Sequence, residues 1–187
     1  MKVAINGFGR IGKLVFRAFL EKQIKHVDIV AINELGSLES SHHLLKFDST
    51  HGQLPLEIKK TKNGLRYNNN NITFFSERNP EMLPWKKLKI DVVLECSGVF
   101  ASKEKSYSHI KAGAKKVIIS APAKNADATI VQGVNNNILN KKHEIISNGS
   151  CTTNCLAPVA MVLEKNIGIE SGFMTTIHSF TGDQPTV

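Results

Sequence analysis

The stretch Lys2-Val3-Ala4-Ile5-Asn6-Gly7-Phe8-Gly9-Arg10-Ile11-Gly12 decides the fold. Its first half is a short apolar run, the pattern of a parallel strand buried on both faces. Its second half is a Gly-x-Gly-x-x-Gly turn. Beyond the turn, Ile11, Leu14, Val15, Ala18 and Phe19 recur at helical spacing, with Lys13, Arg17 and Lys22 elsewhere on the helix. A strand, a glycine turn and a helix in that order open a dinucleotide-binding unit. Gly7 permits the tight turn, Gly9 lets the backbone approach a pyrophosphate, and Gly12 lets helix and strand pack closely. The helix amino terminus then offers N–H groups and a positive dipole end to the anion.

Outward from this unit the alternation continues. Residues 28–32 form a second apolar strand, and Glu34 follows it. A carboxylate there accepts hydrogen bonds from an adenosine ribose and repels a 2′-phosphate, which favours NAD over NADP. Residues 37–46 read as a helix capped by Ser37. Residues 54–58, 65–67 and 72–75 read as short strands, separated by Asn63-Gly64 and by the run Asn68 to Asn71. Four more strands fall at 91–95, 116–120, 129–131 and 144–147, with a polar-faced helix over 103–112. Buried strands alternating with amphipathic helices make an α/β fold, a doubly wound parallel sheet of Rossmann type with ligands at the carboxyl ends of its strands.

The chain has 187 residues, enough for one full domain and little more. We expect an NAD-binding domain over residues 1–150, followed over 151–187 by the incomplete start of an α+β catalytic domain, its nucleophile helix and first strand. No apolar run is long enough to span a membrane. The start lacks the apolar core and cleavage site of a signal peptide. The three cysteines, Cys96, Cys151 and Cys155, are too few and odd in number for a secreted disulfide scaffold. The expected location is cytoplasmic. The net charge of +8 invites a nucleic-acid reading. The lysines, however, are scattered as pairs such as Lys59-Lys60 and Lys115-Lys116, not gathered with aromatics on one face. Phosphorylated small molecules suit this charge better, with neither nucleic acid nor membrane as partner.

The second chemical signature is Ser147-Asn148-Gly149-Ser150-Cys151-Thr152-Thr153-Asn154-Cys155. It follows a strand and precedes the apolar run Leu156 to Leu163, so Cys151 falls at a helix amino terminus, where the dipole favours thiolate. His178, in the strand-like run 172–180, is the candidate base. A metal reading is poor: the C-x3-C spacing has no second cysteine pair and no clustered histidines. Cys155, one turn on, reads as core or support. Cys96, at the end of a buried strand, reads as inert, and His109 as structural or exposed.

These residues resemble the phosphorylating glyceraldehyde-3-phosphate dehydrogenase family, bacterial type. The resemblance rests on Ile5 to Gly12, on Ser150 to Cys155, and on Thr175-Thr176-Ile177-His178-Ser179-Phe180-Thr181-Gly182-Asp183-Gln184, in that order and with fitting spacing. It implies NAD as cofactor, glyceraldehyde 3-phosphate and inorganic phosphate as substrates, and a homotetramer for a full-length member. It implies that Cys151 attacks the aldehyde, that His178 activates the thiol and takes the hydroxyl proton, and that phosphate releases 1,3-bisphosphoglycerate from a thioester. Ser150, Thr152 and Thr181 match phosphate contacts. Arg10 and Ile11 match the pyrophosphate turn, Arg78 and Ser97 lie beside the adenine part, and Ser120 lies near the nicotinamide end.

Glu34 stands where many members have Asp. Asn33-Glu34-Leu35 also resembles erythrose-4-phosphate dehydrogenase, a sister enzyme that hydrolyses its thioester, whereas the run Thr181 to Pro185 favours the triose enzyme. The chain stops about halfway through a family member. The expectation is therefore an amino-terminal half inactive by itself, with a non-catalytic NAD-binding module as the alternative.

Overall fold

The computed structural model describes residues 1–181. Residues 182–187, which include Gly182 to Pro185 of the motif above, lie outside the described residues.

The first strand, β1 (Lys2–Asn6), leads through the glycine turn into α1 (Arg10–Glu21). Then come β2 (Asp28–Asn33) and α2 (Leu38–Lys46), capped by Ser37, whose hydroxyl accepts from the Ser40 N–H. A small ribbon follows, β3 (Phe47–Asp48) and β4 (Gly52–Gln53), and then β5 (Ile58–Thr61), β6 (Gly64–Tyr67) and β7 (Asn70–Phe75). A 3-10 turn, Pro80–Met82, precedes the short α3 (Trp85–Leu88) and β8 (Val92–Glu95). The chain continues with α4 (Lys103–Lys111), β9 (Lys116–Ile119), β10 (Ala128–Thr129), β11 (Ile145–Ser147) and α5 (Cys151–Ile167).

Nine strands form one sheet in the order β10-β11-β9-β8-β1-β2-β7-β6-β5. From β10 to β7 the strands run parallel; β6 is antiparallel to β7, and β5 is antiparallel to β6. The chain builds from β1 to one side and later returns to the other through β8. The order therefore reverses between β1 and β8, where a doubly wound sheet opens its ligand crevice.

Period-two alternation divides the interior into two cores. Val3 and Ile5 of β1 join Phe8, Phe16, Leu20, Ile32 and Leu45 on the α1 side. Ala4, between them, faces the other way with Trp85, Ile90, Val93, Val117 and Ile145. Helix α1 buries Gly12, Phe16 and Leu20, three residues at intervals of four that stand in one row.

Three expectations are corrected. The strand expected over 54–58 starts only at Ile58. Pro55 has no N–H to give a ladder, and Leu54 is instead buried in the core, its N–H bonded to the Lys46 carbonyl. Arg17, placed on the polar side of α1, is buried, its guanidinium donating to the Gly52 carbonyl at 3.0 Å. Residues 172–180 form no strand. No described strand lies alongside to supply ladder hydrogen bonds, and Phe173, Ile177 and Phe180 stand almost fully exposed.

The contrast between α1 and α5 is testable. Phe16 is fully buried, so Phe16→Ala should cost about 3–5 kcal/mol in urea unfolding. Ile167 is 78% exposed, so Ile167→Ala should stay within about 0.5 kcal/mol of the parent. Equal effects would mean that the core is not where the burial places it.

Candidate active site

The carboxyl edge of the parallel strands carries the residues singled out from the sequence. Reading along the sheet order, Cys151 follows β11, Ser120 follows β9, Ser97 follows β8, Gly7 follows β1, Glu34 follows β2 and Arg78 follows β7. The five steps between these strands, at about 4.8 Å each, span roughly 24 Å.

At the centre, Gly7 sits at φ +86°, and a Cβ there would lie 2.5 Å from the Ser97 backbone. A Cβ on Gly12 would lie 2.2 Å from the Gly7 carbonyl oxygen. Neither position admits a side chain. At Gly9 an added Cβ would meet nothing within 4 Å. Gly9 is the N-cap of α1 and no side chain caps that helix, so its amino terminus faces open space across the smallest residue. That is the cradle an anion requires. Arg10 turns its guanidinium to Asp48 in an exposed ion pair, and Ile11 is exposed. A cleft of about 620 Å³ lies between this helix end and the β3–β4 ribbon.

Glu34 braces the turn. Its carboxylate accepts from the Phe8 N–H at 2.6 Å and from the Gly36 N–H at 2.9 Å. Arg78 is exposed in the loop after β7. Ser97 is held by Glu95, which accepts both its N–H, at 2.7 Å, and its hydroxyl. Ser120 donates its backbone N–H to the Glu95 carbonyl at 3.0 Å, and its side chain hydrogen-bonds Cys96. Burial pushes the Cys96 thiol up to about 11 against that bond.

Cys151 is the first residue of the 17-residue helix α5. Ser150 caps it, accepting from the Thr153 N–H at 2.9 Å. Cys151 Sγ lies 2.9 Å from His178 Nε2. His178 Nδ1 lies 2.6 Å from the Ser179 carbonyl, which only accepts. Nδ1 therefore carries a proton, and Nε2 is the nitrogen that exchanges one with the sulfur. The His178 hydrogen bond draws the Cys151 thiol below its ordinary value. Partial desolvation opposes this, and the Thr152 N–H and hydroxyl reinforce it. Cys155, read as core or support, is exposed, so it is not a core residue. Thr181 is exposed at the end of the described residues.

One feature of the edge went unread in the sequence: the buried polar residues Asn6, Asn33, Glu95 and His109 beneath it. Three of them end apolar strands (Val3-Ala4-Ile5-Asn6, Val30-Ala31-Ile32-Asn33, Val92-Val93-Leu94-Glu95), and an amide or acid closing a buried run is itself a readable sign.

Thiolate chemistry gives the expected outcome of alkylation. Cys151 should react with iodoacetamide before Cys155, and Cys96 last. The pH midpoint of the Cys151 rate should fall below the roughly 8.5 of free cysteine. His178→Asn should move that midpoint upward, since it removes the group that favours the charged sulfur. Peptide mapping across a pH series measures it; equal rates at all three cysteines would discount the pair.

Residues 1–103 match the family model described as glyceraldehyde 3-phosphate dehydrogenase, NAD binding domain, and residues 150–187 match that of the glyceraldehyde 3-phosphate dehydrogenase C-terminal domain. The chain is 52% identical over 187 residues to the glyceraldehyde-3-phosphate dehydrogenase of Xanthobacter flavus, covering 100% of this chain and 56% of that protein. It is 50% identical over 189 residues to glyceraldehyde-3-phosphate dehydrogenase 2 of Bacillus subtilis, covering 100% of this chain and 55% of that protein. It is 52% identical over 186 residues to the glyceraldehyde-3-phosphate dehydrogenase of Clostridium pasteurianum, with 100% and 55% covered. The chain thus spans about half the length of the curated relatives it matches. With a glycine cradle, an acidic brace after β2 and a family model covering more than half of its length, this chain belongs to the glyceraldehyde 3-phosphate dehydrogenase family.

Proposed function

We propose that this chain carries the cofactor cradle and the nucleophile of an NAD-dependent phosphorylating aldehyde oxidation, with glyceraldehyde 3-phosphate as substrate. The observation that carries the reading is the Cys151–His178 contact of 2.9 Å at the head of α5, on the same sheet edge as the glycine turn. Gly7, Gly9, Arg10, Ile11 and Gly12 would hold the pyrophosphate against the α1 amino terminus. Glu34 would take the adenosine ribose, Arg78 and Ser97 would flank the adenine part, and Ser120 would lie at the nicotinamide end. Bound NAD supplies the hydride acceptor.

The chain's own residues do the rest. His178 Nε2 takes the thiol proton, and Cys151 Sγ forms a bond to the aldehyde carbon, giving a hemithioacetal. His178 returns a proton to the new oxygen and then withdraws the hydroxyl proton as the carbon gives up its hydride. The carbon is thereby oxidised to a thioester on Cys151. Attack by an inorganic phosphate oxygen breaks the carbon–sulfur bond and returns the thiolate, releasing the acyl phosphate. Ser150, Thr152 and Thr181 would hold the phosphate groups around this carbon.

Two measurements test the reading. Calorimetry should show tighter binding of NAD than of NADP. Glu34→Ala should weaken NAD by roughly tenfold, the value of a charged hydrogen bond, and NADP by less. Equal binding of the two by the parent chain would sink the ribose assignment. In mass spectrometry, NAD plus glyceraldehyde 3-phosphate without inorganic phosphate should leave one acyl group on Cys151. Cys151→Ser should carry none, and His178→Asn should acylate about 10²–10⁴ times more slowly. An unmodified Cys151 in a chain that binds NAD would favour a binding module.

A further inference from the structure

Beneath the glycine turn a buried polar relay crosses five elements, β1, β2, β8, α3 and α4. The Glu77 N–H donates to Asn33 Oδ1 at 2.9 Å, and Asn33 Nδ2 donates to the Glu77 carbonyl at 2.9 Å. Asn33 Nδ2 also donates to Asn6 Oδ1 at 2.7 Å, and Asn6 Nδ2 donates to Glu95 Oε2 at 2.6 Å. His109 Nε2 reaches the same Glu95 oxygen at 3.0 Å. At the far end the Trp85 indole N–H donates to His109 Nδ1 at 3.0 Å. Asn6, Asn33, Glu95, His109 and Trp85 are all buried.

The direction of every bond is fixed. An indole N–H only donates, so His109 Nδ1 is an acceptor and Nε2 holds the proton aimed at Glu95. Glu95 receives Asn6, His109, and both the N–H and hydroxyl of Ser97. Four donors converge on one buried carboxylate, and none of the amides can turn over without setting donor against donor along the row.

Away from the Trp85 end, the relay meets backbone beside the dinucleotide cradle. Asn33 clamps Glu77, next to Arg78, and the Asn33 carbonyl accepts the Gly7 N–H at 2.9 Å. Asn6 directly precedes Gly7. Glu95 fixes Ser97, whose backbone is what Gly7 packs against. We propose that Glu95 and His109 are positioning residues for the cofactor site. Through Asn6 and Asn33 their buried pair sets the backbone of Gly7, Ser97 and Glu77 in the register that receives the adenosine half of the dinucleotide. The inference rests on the NAD reading above and deepens it.

Glu95→Gln separates positioning from packing. It keeps the volume but brings an NH2 into a site built of donors. The Asn6 and His109 side of that site is locked by its own partners, so the NH2 turns to Ser97 and releases its backbone N–H. NAD binding to the full chain, titrated by calorimetry well below the melting midpoint, should weaken roughly tenfold or more. Amide exchange at Ser97 should quicken. Leu65→Ala, a cavity in the first core on β6, whose cluster holds no member of the relay, is the control: it should lower the melting midpoint and leave NAD affinity within about twofold.

Should Glu95→Gln not fold, Asn6→Asp decides. It sets a second carboxylate against Glu95, and like charges so close must share a proton. Its NAD affinity, taken as a ratio to wild type at each pH, should be well below one at high pH and rise as the added carboxyl takes up a proton and donates to Glu95 as the amide did. A wild-type chain that binds no NAD overturns the functional reading itself. A wild type that binds, with Glu95→Gln or Asn6→Asp binding equally well at every pH, overturns the inference alone. So does a loss in Leu65→Ala as large as that in Glu95→Gln.

Discussion

The constraint on which the fold and the site both depend is the space at the end of β1. There the chain must turn between the Ser97 backbone and the first turn of α1, and a Cβ at Gly7 or Gly12 would lie 2.5 or 2.2 Å from backbone atoms. Because β1 is central and flanked by β2 and β8, it cannot shift to make room. The glycines therefore set how close α1 comes to the sheet, and that closeness sets which side of α1 meets the core. Gly12, Phe16 and Leu20 face inward as a consequence, and the helix amino terminus stands over the crevice between β1 and β8. Fold and ligand site arise from one steric requirement.

Around this turn the structure uses two kinds of interior. Most of the sheet is buried in apolar residues, whose packing is non-directional and tolerates small adjustments. The layer just under the carboxyl edge is polar and directional. Burying the Glu95 carboxylate is costly by itself, and four donors offset that cost. An apolar layer of equal volume would stabilise as well, yet would leave the loops after β1, β2 and β8 free to slide. A hydrogen-bonded row fixes angles as well as distances, which a site for a rigid, many-atomed ligand needs.

Much of this was legible in the residues. Strands buried on both faces declare themselves as unbroken apolar runs, and the glycine spacing declares the turn, so β1, α1, β2 and the alternation after them could be read. Single chemical details decided the exceptions. Pro55 withholds an N–H, so the expected strand begins late. Arg17 looked like a surface cation, yet its guanidinium finds the Gly52 carbonyl of a ribbon no local pattern announces. The position of Cys151 at a helix end followed from Ser150 and the apolar run behind it. The partners of Glu95 did not, because they lie far apart in sequence and only the sheet order brings Asn6, Ser97 and His109 together. The run 172–180 has strand composition, but a strand is a property of a pair, and composition says nothing of the partner.

The two ends of the site are consequently built to different standards. The cofactor end stands on fully buried residues of β1, β2 and β8 and on a directional hydrogen-bond row. The nucleophile end stands on α5, which buries none of its residues and turns Leu156, Val159, Val162 and Leu163 outward. Its order is local: the Ser150 cap, the bond from Cys151 to His178, and the hold of the Ser179 carbonyl on the imidazole. Binding and chemistry are then separable properties of this chain. The residues that brace the glycine turn belong to the core and persist as long as the fold does. The alignment of sulfur, imidazole and substrate carbon can supply roughly 7–11 kcal/mol of a reaction barrier only while it is held within a fraction of an ångström. Here that hold draws on the Ser150 cap and the Cys151–His178 pair, both in contact with solvent.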